Sequence, residues 1–314
     1  GANLICKSTL GSAGVNWIIG FEYFSELTDF RNWDTNNRVR SGLVEDRGFE
    51  LQSFSGFGQV EFDINPYFRP TIGLRYDAYD GHLEIRDPGN LNEKKPLNNL
   101  SHVSPKFGFR STWFEGFDFK ANVSNGFALP GGSIRYNRDA NVDPSEVWQY
   151  EAGVEYDYKN LVKVNLTGFI LETSKEVNET ILGSGVFVNS GKTQRHGLEL
   201  GIRAQPVRRL NFNGSFAYIR TEIKKNVDEA LVGKELNNIP RTVTNLMLDY
   251  TLESGLGARV NYRNVGKYAT GLENFFYYNG YSRTDATLFY NFAGTSSKKG
   301  QIFVEFNNMF NENY

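Results

Sequence analysis

Trp148-Gln149-Tyr150-Glu151-Ala152-Gly153-Val154-Glu155-Tyr156-Asp157-Tyr158 alternates ring or aliphatic with polar for eleven residues. Successive side chains of a strand point to opposite faces. Trp148, Tyr150, Ala152, Val154, Tyr156 and Tyr158 therefore make one oily face, and Gln149, Glu151, Glu155 and Asp157 make a wet one. The stretch is about twice the length of an ordinary soluble strand of roughly five or six residues. It matches the roughly nine to eleven residues with which a tilted strand crosses a bilayer. The split recurs in Val162, Val164, Leu166 and Ile170 against Lys163, Asn165 and Thr167. It returns in Leu198, Leu200, Ile202 and Ala204 against Glu199, Arg203 and Gln205, and in Ile302, Val304 and Phe306 against Gln301, Glu305 and Asn307.

The connections alternate as well. Tight polar turns are expected at Ile64-Asn65-Pro66, Glu115-Gly116, Lys159-Asn160, Pro206-Val207, Glu253-Ser254-Gly255 and Gly294 to Gly300. They recur at roughly 45 residues, one hairpin unit each. Between them lie long stretches read as irregular loops: Asp29 to Gly48, Asp80 to Leu100, Ala128 to Pro144, Thr173 to Gly185, Thr221 to Glu235 and Lys267 to Gly280. Short turns on one side and long loops on the other are the pattern of an outer-membrane barrel, where the turns are periplasmic and the loops extracellular. The expected fold is therefore all-β, a transmembrane antiparallel up-and-down β-barrel with about 13 to 14 strands in this chain, each long enough to span. Open edges cannot face lipid, so the wall must close or belong to a larger closed wall. Tyr67, Phe114, Phe117, Tyr158 and Phe292, near the turns, suit an interfacial aromatic girdle.

Composition narrows the alternatives. Aromatics reach 15% of the 314 residues, with 25 Phe and 17 Tyr, whereas hydrophobic residues total only 39%. Rings and β-branched residues favour strands over helices, and no apolar run approaches the roughly 20 residues of a spanning helix. The net charge is −2, with Lys and Arg spread evenly, so nucleic acid is not an expected partner. Cys6 is the only thiol, and no Cys or His spacing suggests a metal site or a resident cofactor. No initiator Met or apolar leader is present, so a signal peptide is expected to be missing or removed.

Several local patterns come in a family's order. Ser124-Asn125-Gly126-Phe127-Ala128-Leu129-Pro130 precedes a loop, followed by Val142-Asp143-Pro144-Ser145-Glu146 and Tyr150-Glu151-Ala152-Gly153-Val154-Glu155. Then come Val188-Asn189-Ser190-Gly191, Gly197-Leu198-Glu199-Leu200, Asn238-Ile239-Pro240-Arg241 and the final Val304-Glu305-Phe306-Asn307-Asn308-Met309-Phe310-Asn311-Glu312-Asn313-Tyr314. Together they resemble the β-barrel domain of TonB-dependent outer-membrane receptors, the importers of ferric siderophores, cobalamin and related scarce nutrients. The resemblance implies a barrel of about 22 strands with a plugged lumen, of which residues 1–314 would be a part, lacking the plug domain, the TonB-binding box and the last strand. It weakens before about Phe54, where the alternation of Trp17 to Phe24 stands alone.

In such a receptor ligand meets the extracellular loops, so loop rings and cations are the candidates. Phe275-Phe276-Tyr277-Tyr278 could stack on a chelate; the competing reading is loop-on-loop packing or a rim above the girdle. Arg135, Tyr136 and Arg138, with Arg31, Arg38 and Arg40 in the first long loop, could fork onto chelate oxygens; the competing reading is solvated charge or a contact to lipopolysaccharide phosphate. Alternation turns Arg75, Arg110, Arg203, Arg259, Arg263 and Arg283 into the lumen beside Glu61, Glu155, Glu199, Asp249, Asp285 and Glu305. They could grip a plug, line a pore, or pair across strands. His82 and His102 flank one loop near Asp80, Glu84 and Ser101, which permits a triad without requiring one. No catalytic role is expected. The expectation is a non-enzymatic outer-membrane importer of a Gram-negative bacterium, taking a metal chelate and working with the TonB complex through a plug. The alternative is a passive or substrate-selective porin whose lumen charges set preference.

Overall fold

The computed structural model describes residues 2–10, 13–89, 91–97, 100–130, 142–179, 186–293 and 299–313. The alternating stretches form β1 (Ala2–Leu10), β2 (Ala13–Asn36), β3 (Val39–Asp63), β4 (Arg69–Ile85), β5 (Glu93–Pro96) and β6 (Leu100–Phe114). They continue as β7 (Phe117–Ala128), β8 (Ser145–Tyr158), β9 (Val162–Glu179), β10 (Phe187–Val207) and β11 (Leu210–Lys225). The last are β12 (Thr242–Thr251), β13 (Leu256–Val265), β14 (Tyr268–Ala269), β15 (Tyr277–Tyr278), β16 (Tyr281–Ala293) and β17 (Lys299–Phe306). All but β14 and β15 join one fifteen-stranded sheet in which each strand pairs antiparallel with its neighbour in sequence, β5 lying aside against β4. That is the meander the alternating turns and loops predict. The only helix among the described residues is one 3-10 turn, Glu229–Leu231, and no helix is long and apolar enough to cross a membrane.

Register fixes what each face carries. Phe119, Val154, Leu166, Leu200 and Phe216 fall opposite one another from β7 to β11 and make one apolar row. One residue along, Glu155, Asn165, Gly201, Ser215, Asn245, Arg263 and Arg283 make a row on the other face, from β8 to β16. The apolar face is open: Leu166 is 42% exposed and Ile302 65%. A soluble sheet would bury such a face, so this one suits lipid, with the polar face toward an aqueous lumen. At the short-turn end Tyr67 meets Trp113 at 5.5 Å, Phe117 stacks on Tyr156 at 4.3 Å, and Tyr290 lies 6.4 Å from Phe292, giving the expected girdle.

The long-loop side differs from expectation in an informative way. Asp29 to Gly48 is not irregular: β2 and β3 run on as a ladder to a two-residue turn at Asn37 and Arg38, with φ of 52° and 67°. Positive φ at both central positions is the turn whose twist matches a hairpin. Polar side chains do not oppose a strand that stands clear of lipid, and continued pairing satisfies its backbone groups. Strands β9 and β10 likewise reach past the apolar band, to Glu179 and from Phe187. At the short-turn side the β10–β11 turn lies at Arg208 and Arg209, two residues beyond Pro206-Val207.

The tightest apolar packing sits on the inner face of this projection. Phe49, Leu51, Leu83 and Ile85 are buried at 1 to 5% exposure, covered by Tyr79, Leu97 and Leu129. The segments carrying Leu97 and Leu129 thus fold back over the sheet, and burying each such side chain is favourable by about 1.5–3 kcal/mol. Nearer the middle, Asp77 is buried and accepts from Ser55 Oγ at 2.5 Å and from Arg75 Nε at 3.0 Å.

Candidate functional site: the loop rim and the lumen wall

Two loops meet at the long-loop end between β11 and β16. Asn274, held at a φ of 58°, accepts from Glu235 N at 2.7 Å and donates through Nδ2 to Glu235 O at 2.9 Å. Asn238 N donates to Ala269 O at 2.8 Å and Arg241 N to Lys267 O at 3.1 Å, so the two loops are laced by backbone. Tyr277 lies under two cations, Lys267 Nζ at 4.4 Å and Arg241 Cζ at 5.7 Å from the ring centre, while Tyr278 packs on Tyr268 at 5.3 Å. Arg241 is tied to Glu235 at 2.8 Å, and that hydrogen bond raises the guanidinium above its usual range.

Phe275 and Phe276 behave differently. At the tip between β14 and β15 they are 79% and 78% exposed, with Thr270 N donating to Phe276 O at 3.0 Å below them. The four-ring cluster thus divides: the tyrosines follow the loop-packing reading, and the phenylalanines are presented outward. Two exposed phenyl rings on a pinned tip, next in sequence to the Tyr277 ring on which Lys267 and Arg241 rest, offer apolar stacking area. Arg135, Tyr136 and Arg138 lie outside the described residues. Of the first-loop arginines, Arg31 pairs with Asp46 at 3.2 Å and Arg40 lies 5.5 Å from the Trp33 ring, so both are engaged within the β2–β3 hairpin; Arg38 forms its turn.

On the lumen face, Glu155, Arg203, Arg263, Arg283 and Asp285 come together around a concavity of about 790 Å³ that also takes in Asn165, Ser215, Asn245 and Asn261. Arg259 lines an adjoining hollow with Arg203 and Asp249. Glu199 lines neither. Many charges are matched at once: Arg283 with Asp285 at 2.8 Å, Arg259 with Asp249 at 3.0 Å, Glu155 with Lys120 at 2.7 Å, and Arg110 with Asp118. Arg203, Arg263 and Glu199 make no ion pair among the described residues. Asn245 and Asn261 sit at lumen-facing positions of the same alternation but carry no charge to single them out in the sequence.

The histidines do not form a triad among the described residues. His82 lies 3.5 Å from Glu50, and His102 Nε2 is 2.6 Å from Asn125 Oδ1. No group of three or more His, Cys, Asp or Glu fit to hold a metal ion occurs among the described residues.

Long antiparallel strands, an oily outer face and a polar inner one define the wall of a transmembrane β-barrel. The family model described as "TonB dependent receptor-like, beta-barrel" matches residues 4–309, and the chain belongs to that family. Among curated relatives, the metal-pseudopaline receptor CntO of Pseudomonas aeruginosa (strain UCBPP-PA14) is 26% identical over 82% of this chain and 36% of its own. The ferrichrome outer membrane transporter/phage receptor of Escherichia coli K12 is 26% identical over 78% of this chain and 32% of its own. The crystal structure of the siderophore receptor PiuA from Acinetobacter baumannii superposes with a TM-score of 0.83 at 17% identity, covering 98% of this chain and 51% of that one. The chain therefore spans about a third to a half of the length of the proteins it matches. Relatives and structural neighbours are transport receptors, not enzymes, and the family's barrels are outer-membrane proteins.

Proposed function

We propose that this chain forms barrel wall and extracellular capture loops of an outer-membrane, TonB-dependent active importer of a ferric siderophore or similar metal chelate in a Gram-negative bacterium. The observation that carries the reading is the outward pair Phe275 and Phe276 on a tip braced by Asn274 and followed by Tyr277, on whose ring Lys267 and Arg241 rest. Chelates of this kind are bulky, partly aromatic and often anionic, so rings and cations together suit their capture. The names of the relatives, which speak of pseudopaline-bound metal and ferrichrome, support the same class of cargo. In the whole protein, Arg203, Arg263 and Glu199 face a plug that gates a lumen of about 22 strands, and the TonB complex acts through that plug. Lipid and lipopolysaccharide surround the outer face. The mixed lumen charge alone is what a passive porin would share.

Radioiron uptake under iron limitation, by cells carrying the full-length parent with and without the TonB system, tests the reading. Uptake is expected to require TonB, and F275S/F276S should weaken capture about tenfold while leaving the barrel assembled. Uptake or solute leakage indifferent to TonB would make the porin reading the correct one.

A further inference from the structure

The lipid-facing surface is not even. From β6 to β11 one outward row runs Phe109, Ala121, Ala152, Gly168, Leu198, Tyr218. Three small residues on adjoining strands recess the wall there, and the next row, Phe107, Val123, Tyr150, Ile170, walls the recess. The result is an apolar groove of about 720 Å³.

Its upper edge turns polar within one residue pair. The walling row continues from Ile170 into His196 and Arg220, and two residues further along the strands the row carries Glu172, Gln194 and Glu222. One pair of residues advances a strand by roughly 7 Å, so the groove lies just below the head-group level on the long-loop side. Charge at that edge is unbalanced. Glu222 is held by Lys224 at 2.7 Å, and Glu172 by Gln194 at 3.0 Å and Lys192 at 3.8 Å. Arg220 is exposed, makes no ion pair among the described residues, and stands opposite His196. Its Nε donates to Tyr218 Oη at 2.7 Å, which ties the guanidinium to a ring that lines the groove.

We propose that this groove binds a phosphorylated acyl lipid of the outer leaflet, with a chain seated over Ala121, Ala152 and Gly168 and the phosphate on Arg220. The chain fits because its methylenes replace lipid that cannot pack closely against a recessed, irregular wall. The phosphate fits because a guanidinium fork at the edge of lipid finds no carboxylate of its own. The inference rests on the outward orientation of this face and is independent of what the loops capture. The full-length parent, purified in detergent and stripped of lipid, would be titrated with hexa-acylated lipid A and with its dephosphorylated form, binding being read by native mass spectrometry. R220Q is expected to weaken the phosphorylated lipid about tenfold and leave the other unchanged. A152L, which fills the recess from outside the core, should weaken both. G168V is the second groove variant, since a Cβ at Gly168 meets nothing nearer than Leu198 Cδ2, at 3.4 Å, and the Ala152 and Gly197 carbonyl oxygens, at 3.9 and 4.0 Å, all ordinary contacts. Heat-modifiable gel mobility verifies that each barrel is folded. Binding unaltered in R220Q and in the folded groove variants, or equal affinity of the parent for both lipids, overturns the proposal.

Discussion

Gly197 shows how a single position carries the wall. A Cβ built there would lie 2.0 Å from the Tyr218 carbonyl oxygen and 3.0 Å from the Phe169 ring. Backbone cannot yield as a flexible side chain would, so G197A should destabilise the barrel by about 1–3 kcal/mol, read as a lower temperature for loss of heat-modifiable mobility. Gly197 was visible in the sequence as part of a family-like hairpin, but the close approach of β11 was not, because register is a property of the pair. A second test concerns Asp29, on the projection beyond the apolar band. Arg86, at 2.5 Å, holds its carboxyl below the usual 3.8. A depressed carboxyl stabilises the folded state above its unfolded pKa, and this contribution is lost as pH falls through the lower folded value. Arg86 stays charged throughout, raised by Asp29 and Asp46. Protection of the hairpin amides, exchange being referred to the intrinsic rate at each pH, should therefore fall below about pH 4 in the parent, and a D29N variant should show no such step. An identical pH response in both would discount the pair.

At the scale of elements, the two-residue turn between β2 and β3 shows where reading the sequence stopped short. Polar residues from Asp29 to Gly48 read as loop because a strand outside the membrane has no lipid to impose an apolar face on it. Outside the membrane a ladder needs only its hydrogen bonds, and Arg31 facing Asp46 adds a cross-strand pair. Asn37 accepts a left-handed conformation readily, whereas Arg38 is less suited to its φ of 67°. R38G should thus be neutral or stabilising by up to about 1 kcal/mol, and R38V, β-branched at positive φ, should cost about 1–2 kcal/mol. Limited proteolysis of the hairpin measures both. The loop rim was half legible: a run of four rings is plain in the sequence, but its division into packed tyrosines and exposed phenylalanines depends on Asn274 reaching Glu235, thirty-nine residues away. Y277A should loosen that lacing and expose Lys267 and Arg241, raising protease sensitivity near Gly271.

Across the whole molecule, the two-faced strands and the alternation of turns with loops were legible because period-two patterning reports directly on lipid and water. Which lumen residues meet was not. Glu155, Arg263 and Arg283 are more than a hundred residues apart in sequence between the first and the last, and only the register of seven strands puts them in one row. Cargo identity was equally hidden, since loops carry no periodicity. Capture by the loops requires the wall to run in one direction, with the Phe275 tip outside the cell and the Lys159-Asn160 turn in the periplasm. In a full-length parent in which Cys6 and any other cysteine are replaced by serine, so that no native thiol reports, F275C and N160C would be treated in intact cells with a bulky, impermeant biotin maleimide. Labelling of the cysteine at 275 in intact cells, and of the one at 160 only after lysis, is the predicted result. Labelling at 160 in intact cells, with 275 protected, would contradict the account.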